Sequence, residues 1–245
     1  MPVLLLLGAQ TLPNTAIKAE HHDAMKSVLV KGDIVYAFAV RDPVRQERPP
    51  KAVWNEEKYT RRVAALNAIK DPDIEKMIVF SSVEDMKANL PRFPKDIVWA
   101  SYNSEPGMTP AEELQNIEES VIEFAKIAHT AGLKVEWWPT NVMISQDEAR
   151  YLGLAKYIDR MGLQHQRTLE SEGVEAFVSL TKKRAEAIKK VNPKCSVEVQ
   201  AVIGRGSTPD LIRALKAAAP YADPSVWTMQ DTAAAMEILR AVRNQ

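Results

Sequence analysis

One cysteine among 245 residues, Cys195, leaves no internal disulfide, so a packed core rather than covalent cross-links has to hold the chain together. Nor is there an excess of charge, since 32 basic residues face 32 acidic ones. A chain without net charge creates no field that gathers polyanions, which argues against nucleic acid or an anionic membrane as partner. Long apolar runs are missing too. The run at residues 3–7 is too short for a signal-peptide core or a membrane span, and no basic segment precedes it. As written, the chain is expected in the cytoplasm, or exported if Met1 replaces a removed signal peptide. Histidines are few and scattered: His21 and His22 fall in an expected first helix and His129 in a later one, so no metal and no other cofactor is expected. There is no G-x-G-x-x-G turn, Walker loop or G-x-S-x-G elbow. Schiff-base chemistry is disfavoured as well, because Lys76 and Lys134 stand at strand beginnings and Lys51 in a loop.

What is present is an alternation that runs from end to end without a linker. Short β-rich runs at residues 3–8, 34–40, 77–81, 97–102, 134–138, 157–163, 196–202 and 226–230 alternate with stretches of helical spacing, of which 15–30 is the first and 233–242 the last. Helix starts are written chemically at Thr109-Pro110, at Ser145 through Glu148, and at Thr208-Pro209. Eight β/α units in this length match a parallel eight-stranded (β/α)8 barrel of the TIM type, a single domain over residues 1–245. An open doubly wound sheet would more often carry a glycine-rich first turn.

In such a barrel one parity of each strand meets the helices and the other fills the interior or lines the mouth. Apolar Val197, Val199 and Ala201 turn Ser196, Glu198 and Gln200 inward. Val135, Trp137 and Pro139 do the same for Glu136, Trp138 and Thr140, and Met161 and Leu163 for Gly162, Gln164 and Gln166. On the fourth strand the polar parity is Ser101, Asn103 and Glu105. Gln10 and Gln230 extend the set. Burying a carboxylate costs several kcal/mol or forces its pKa up, so these residues need partners or a task. One reading makes Glu136 and Glu198 an acid/base or acid/nucleophile pair, with Glu105 a third candidate. The other makes them a framework held by Gln164, Gln166 and Gln200.

Amides, carboxylates and indoles at the strand ends suit a neutral, hydroxyl-rich small molecule or oligosaccharide, bound by Asn103, Trp138, Gln164, His165, Gln166, Gln200 and Arg41. Residues 41–54, with Arg41, Arg45, Arg48 and Trp54, form the longest connection after a strand and are expected to cover the mouth. A competing reading is a lyase, isomerase or transferase on a phosphorylated substrate, with Gly204, Arg205, Gly206, Ser207 and Thr208 holding the phosphate before a helix. A third is a non-catalytic barrel with a structural polar interior.

The stretch Leu163-Gln164-His165-Gln166, the helix ending Val191-Asn192-Pro193, Val197-Glu198-Val199-Gln200, Ser207-Thr208-Pro209 and Val226-Trp227-Thr228-Met229 resembles bacterial barrels allied to the glycoside hydrolases. The resemblance covers about the last third of the chain. It implies a glycosidase-like barrel, in relatives often exported; the metal-independent hydrolysis expected here rests on the Glu136 and Glu198 pair. Two features depart from it: no export signal is seen, and Asn103-Ser104-Glu105 is not the adjacent Asn-Glu pair that marks the largest glycosidase clan.

Overall fold

The structure is a computed structural model that describes residues 14–44, 51–227 and 231–243. Eight strands follow one another around a sheet in chain order: β1 (Ala16–Lys18), β2 (Ile34–Ala39), then, after a two-stranded antiparallel hairpin of β3 (Asp42–Val44) and β4 (Lys51–Val53), β5 (Glu75–Phe80), β6 (Trp99–Ser104), β7 (Lys134–Pro139), β8 (Arg160–Leu163), β9 (Ser196–Val202) and β10 (Asp223–Trp227). Every neighbouring pair in the large sheet is parallel. The end strands β1 and β10 lie side by side, which makes one nearly closed (β/α)8 TIM barrel. No helix among the described residues is long and apolar enough to cross a membrane.

The helix-facing parity is as expected. Val197, Val199, Ala201, Val135, Trp137, Met161 and Leu163 are buried in the layer between strands and helices, where removal of apolar area from water supplies the main stabilisation. A second, smaller apolar cluster of Ala16, Ile34, Met77, Val79 and Trp99 fills part of the barrel interior.

Two expectations need correction. The run at 3–8 and Gln10 lie outside the described residues, as do residues 45–50 and 228–230, so Arg45, Arg48 and Gln230 are not placed. The first described strand of the sheet comes from the stretch expected as helix: Ala16–Lys18 pairs with Ile34, Val35 and Tyr36 before short helical turns take over at Ala19. Helix caps also shift by a residue or two. Ser207, not Thr208, accepts from Asp210 N, and Asp147, not Ser145, accepts from Arg150 N. Thr109 joins its loop instead, accepting from Glu105 N and donating to the Asn103 carbonyl.

The seam is stitched by polar groups. Buried Asp33, just before β2, accepts from Thr15 N at 2.9 Å, from Val30 N at 2.8 Å and from Arg243 Nη2 at 2.5 Å. Arg243 belongs to the last helix, Thr232–Arg243, and also donates to the Val28 carbonyl. The final helix therefore packs beside the first helical turns, as the barrel topology requires.

Candidate functional site

At the carboxyl ends of the strands a cleft of about 420 Å³, including its open mouth, is lined by side chains from most of the barrel. Tyr36 and Phe38 come from β2, Asn103 from β6, Glu105 just beyond it, Trp138 from β7, Gln200 from β9, and Ser225 and Trp227 from β10. Gln164, immediately after β8, completes the polar side. Strand alternation explains this list, because each residue shares the inward parity of its strand. Gln164 Nε2 donates to Asn103 Oδ1 at 3.3 Å, which fixes two of the amides relative to one another. None of the described lining residues is a cation, and Glu105 is their one carboxylate.

Below the cleft lies a charged layer whose two glutamates the interior seals from solvent. Ser101, Glu136, Arg160 and Ser196 stand abreast on four successive strands. Arg160 Nη1 is 3.2 Å from Glu198 Oε2 and 3.9 Å from Glu136 Oε1, while its Nε donates to Ser196 Oγ at 3.1 Å. Its guanidinium also sits over the Trp99 ring, 4.6 Å from the centroid. Glu136 Oε2 accepts from Ser101 Oγ at 2.8 Å and from Trp138 Nε1 at 2.6 Å. Both glutamates are 0% exposed. Burial, with the neighbouring Glu136 charge, raises the Glu198 carboxyl well above its ordinary value, against the pull of Arg160 and a hydrogen bond from Ser225.

The two glutamates are thus brought to one centre, but their partners are Arg160, Ser101, Trp138 and Ser225 rather than the expected Gln164, Gln166 and Gln200. Neither reaches the cleft surface. Their connection to it runs through Trp138 and Ser225, each of which bonds a glutamate and lines the cleft. Arg160 was legible by parity, two residues before Gly162. Gly162 itself has a steric role: a Cβ there would overlap the Trp138 ring, so glycine is what lets the indole lie across β8.

Other expected ligand-binding residues lie elsewhere. His165 is buried, not at the mouth; its Nε2 shares a 2.8 Å bond with Thr181 Oγ1 and its ring packs on Phe177. Burial, with the nearby Arg184 charge, pushes its pKa down to about 3, so the ring is neutral at ordinary pH. Gln166 opens the helix Gln166–Glu172 outside the cleft. Arg41 is held in a two-pronged ion pair with Asp85 at 2.6 and 2.9 Å. The expected phosphate turn satisfies itself. Gly204 and Gly206 take φ of +90° and +95°, Arg205 pairs with Glu170, and Ser207 Oγ donates to the Asp210 carboxylate at 2.7 Å. A carboxylate already occupies the helix start where an anion would bind. No group of three or more potential metal-ligating residues is found among the described residues.

No protein-family model matches the sequence, and no curated protein sequence matches it. Solved structures do resemble the fold. The catalytic domain of a family GH18 chitinase from the fern Peteris ryukyuensis superposes with a TM-score of 0.63 at 13% identity, covering 94% of this chain and 97% of that one. A citrate lyase from Burkholderia xenovorans LB400 gives 0.58 at 8% identity over 96% and 78% of the two chains. The YdjI aldolase from Escherichia coli K12 gives 0.53 at 11% identity over 95% and 86%. The likeness is one of fold. It includes a glycoside hydrolase and lyase or aldolase barrels alike, so the chemistry has to be argued from the cleft.

Proposed function

We propose that the mouth of the barrel binds a neutral, hydroxyl-rich ligand of the carbohydrate type and that Glu105 exchanges a proton with it, in the manner of a glycosidase acid. The observation that carries this is the lining. Trp138, Trp227, Tyr36 and Phe38 offer ring faces, Asn103, Gln164 and Gln200 offer amides, and Glu105 is the carboxylate open to a ligand. Indoles pack against the apolar face of a sugar ring while amides bond its hydroxyls. Glu136 and Glu198 act in this reading as positioning groups, one orienting the Trp138 indole and the other Ser225. A phosphorylated substrate fits less well, because the glycine turn after β9 is internally paired.

The test is titration of the protein's tryptophan fluorescence with chitin oligosaccharides, other neutral oligosaccharides and sugar phosphates at two salt concentrations. Neutral ligands should bind with little salt dependence, since no ion pair to the ligand is screened. On any substrate found to turn over, Glu105→Gln should lower the rate by about a hundredfold or more, the usual worth of general acid–base catalysis, while leaving binding in place. Salt-sensitive binding of phosphorylated members alone would overturn the proposal.

A further inference from the structure

The short first strand ends in a lysine, Lys18, whose amine lies beside two rings of the cleft. Lys18 is half-buried, with Nζ 5.3 Å from the centroid of Trp227 and 5.8 Å from that of Phe38. Both rings line the cleft, and their centroids are 6.0 Å apart. Lys18 also shares a small adjoining groove with Tyr36, Phe38, Glu20 and Arg62, and Tyr36 and Phe38 belong to both spaces. The Arg62 guanidinium is engaged by the Phe38 carbonyl at 3.2 Å. Across the described residues, no carboxylate lies within ion-pair distance of Lys18.

This is the placement that imine-forming lysines need, an amine on the inward parity at the carboxyl end of a barrel strand, partly withdrawn from water and close to where a ligand sits. We infer that Lys18 captures the carbonyl group of a small hydroxy-aldehyde or hydroxy-ketone, such as an open-chain sugar, as an imine at the rim of the cleft. In the step, the Nζ lone pair bonds to the carbonyl carbon and the C=O electron pair moves to oxygen, which takes a proton. The carbinolamine then expels that oxygen as water, and the two hydrogens lost by nitrogen balance the two gained by oxygen. No oxidant or reductant is consumed. Burial and the nearby Arg62 charge lower the Lys18 pKa, against Glu20, which enlarges the fraction of free amine. The Tyr36 hydroxyl is kept protonated by burial and by the charges of Glu198 and Glu136, so in the same groove it is available as a hydrogen-bond donor to the carbonyl oxygen.

The inference goes beyond the proposed sugar binding and fails separately from it. The full chain is incubated with glycolaldehyde or dihydroxyacetone and a low concentration of cyanoborohydride, and adducts are assigned by peptide mass mapping over time. Lys18 should be labelled at least tenfold faster than Lys31, whose side chain is 86% exposed, and Tyr36→Phe should slow Lys18 alone. Lys18→Arg, with its fold checked by circular dichroism, should remove the fast adduct and leave the slow ones. Labelling of Lys18 at the rate of Lys31 would overturn the inference, whatever the outcome of the oligosaccharide titration.

Discussion

Arg160 holds two carboxylates that water cannot reach, and the balance at that residue decides how the interior tolerates change. Removing the guanidinium leaves both Glu136 and Glu198 buried without their counter-charge, a loss of about 3–5 kcal/mol for a broken buried pair. Glu198→Gln removes one of two acids facing a single base and leaves Arg160 with Glu136 3.9 Å away. Arg160→Met should therefore lower the urea midpoint strongly at neutral pH, while Glu198→Gln should be tolerated there or stabilise, since it removes a buried acid whose charged form is disfavoured. Equal losses in both variants would show that the Arg160–Glu198 contact, rather than the net charge of the layer, dominates. The inward side of Glu136 and Glu198 was readable from strand alternation alone. Their partners were not, because parity says which way a side chain points and nothing about which neighbour across the barrel it meets.

Among the elements, β7 and β8 show how a small residue sets the floor of the cleft. The Trp138 indole occupies the space above Gly162 and from there donates to Glu136. Gly162→Ala should displace the ring, cost about 1–3 kcal/mol as an overpacked interior does, and weaken any oligosaccharide that stacks on Trp138. Thermal melts and the fluorescence titration check the two effects together; unchanged binding would remove Trp138 from the ligand platform. Most strands were legible here, β5 from an unbroken apolar run and others from four to seven residues that alternate in side. β1 was not, since Ala16–Lys18 has three residues and runs into the helical spacing of His22, Met25 and their neighbours. That reading placed Lys18 in a helix and kept it out of the comparison of Lys51, Lys76 and Lys134, on which imine chemistry is disfavoured. The His165 misplacement has a different origin: after Gln164, which still pairs with Thr140, the chain leaves the strand geometry, so alternation no longer fixes its side.

For the molecule as a whole, buried His165 and Glu198 are shifted in opposite directions and are expected to limit stability at opposite ends of the pH range. His165 has its folded pKa lowered from 6.5 to about 3; its contribution is therefore complete above the unfolded value and lost as pH falls toward 3, about 4–5 kcal/mol in all. Glu198 has its folded pKa raised above 4.5, so its contribution is complete below that value and lost as pH rises through the folded one. Thermal midpoints measured from pH 3.5 to 8 should peak between these limits. His165→Asn should flatten the acid limb and Glu198→Gln the alkaline one, and a limb indifferent to its variant would refute the assignment of that group. The seam carries a mechanical consequence. Thr15 and Arg243, near the two ends of the described chain, meet on the same Asp33 carboxylate, and the next ladder inward, β1 on β2, is three residues long. Tension applied between residues 14 and 243 loads that junction before the rest of the barrel wall, so under a pulling force the barrel has a built-in tear line, and rupture is expected to start where first strand and last helix join.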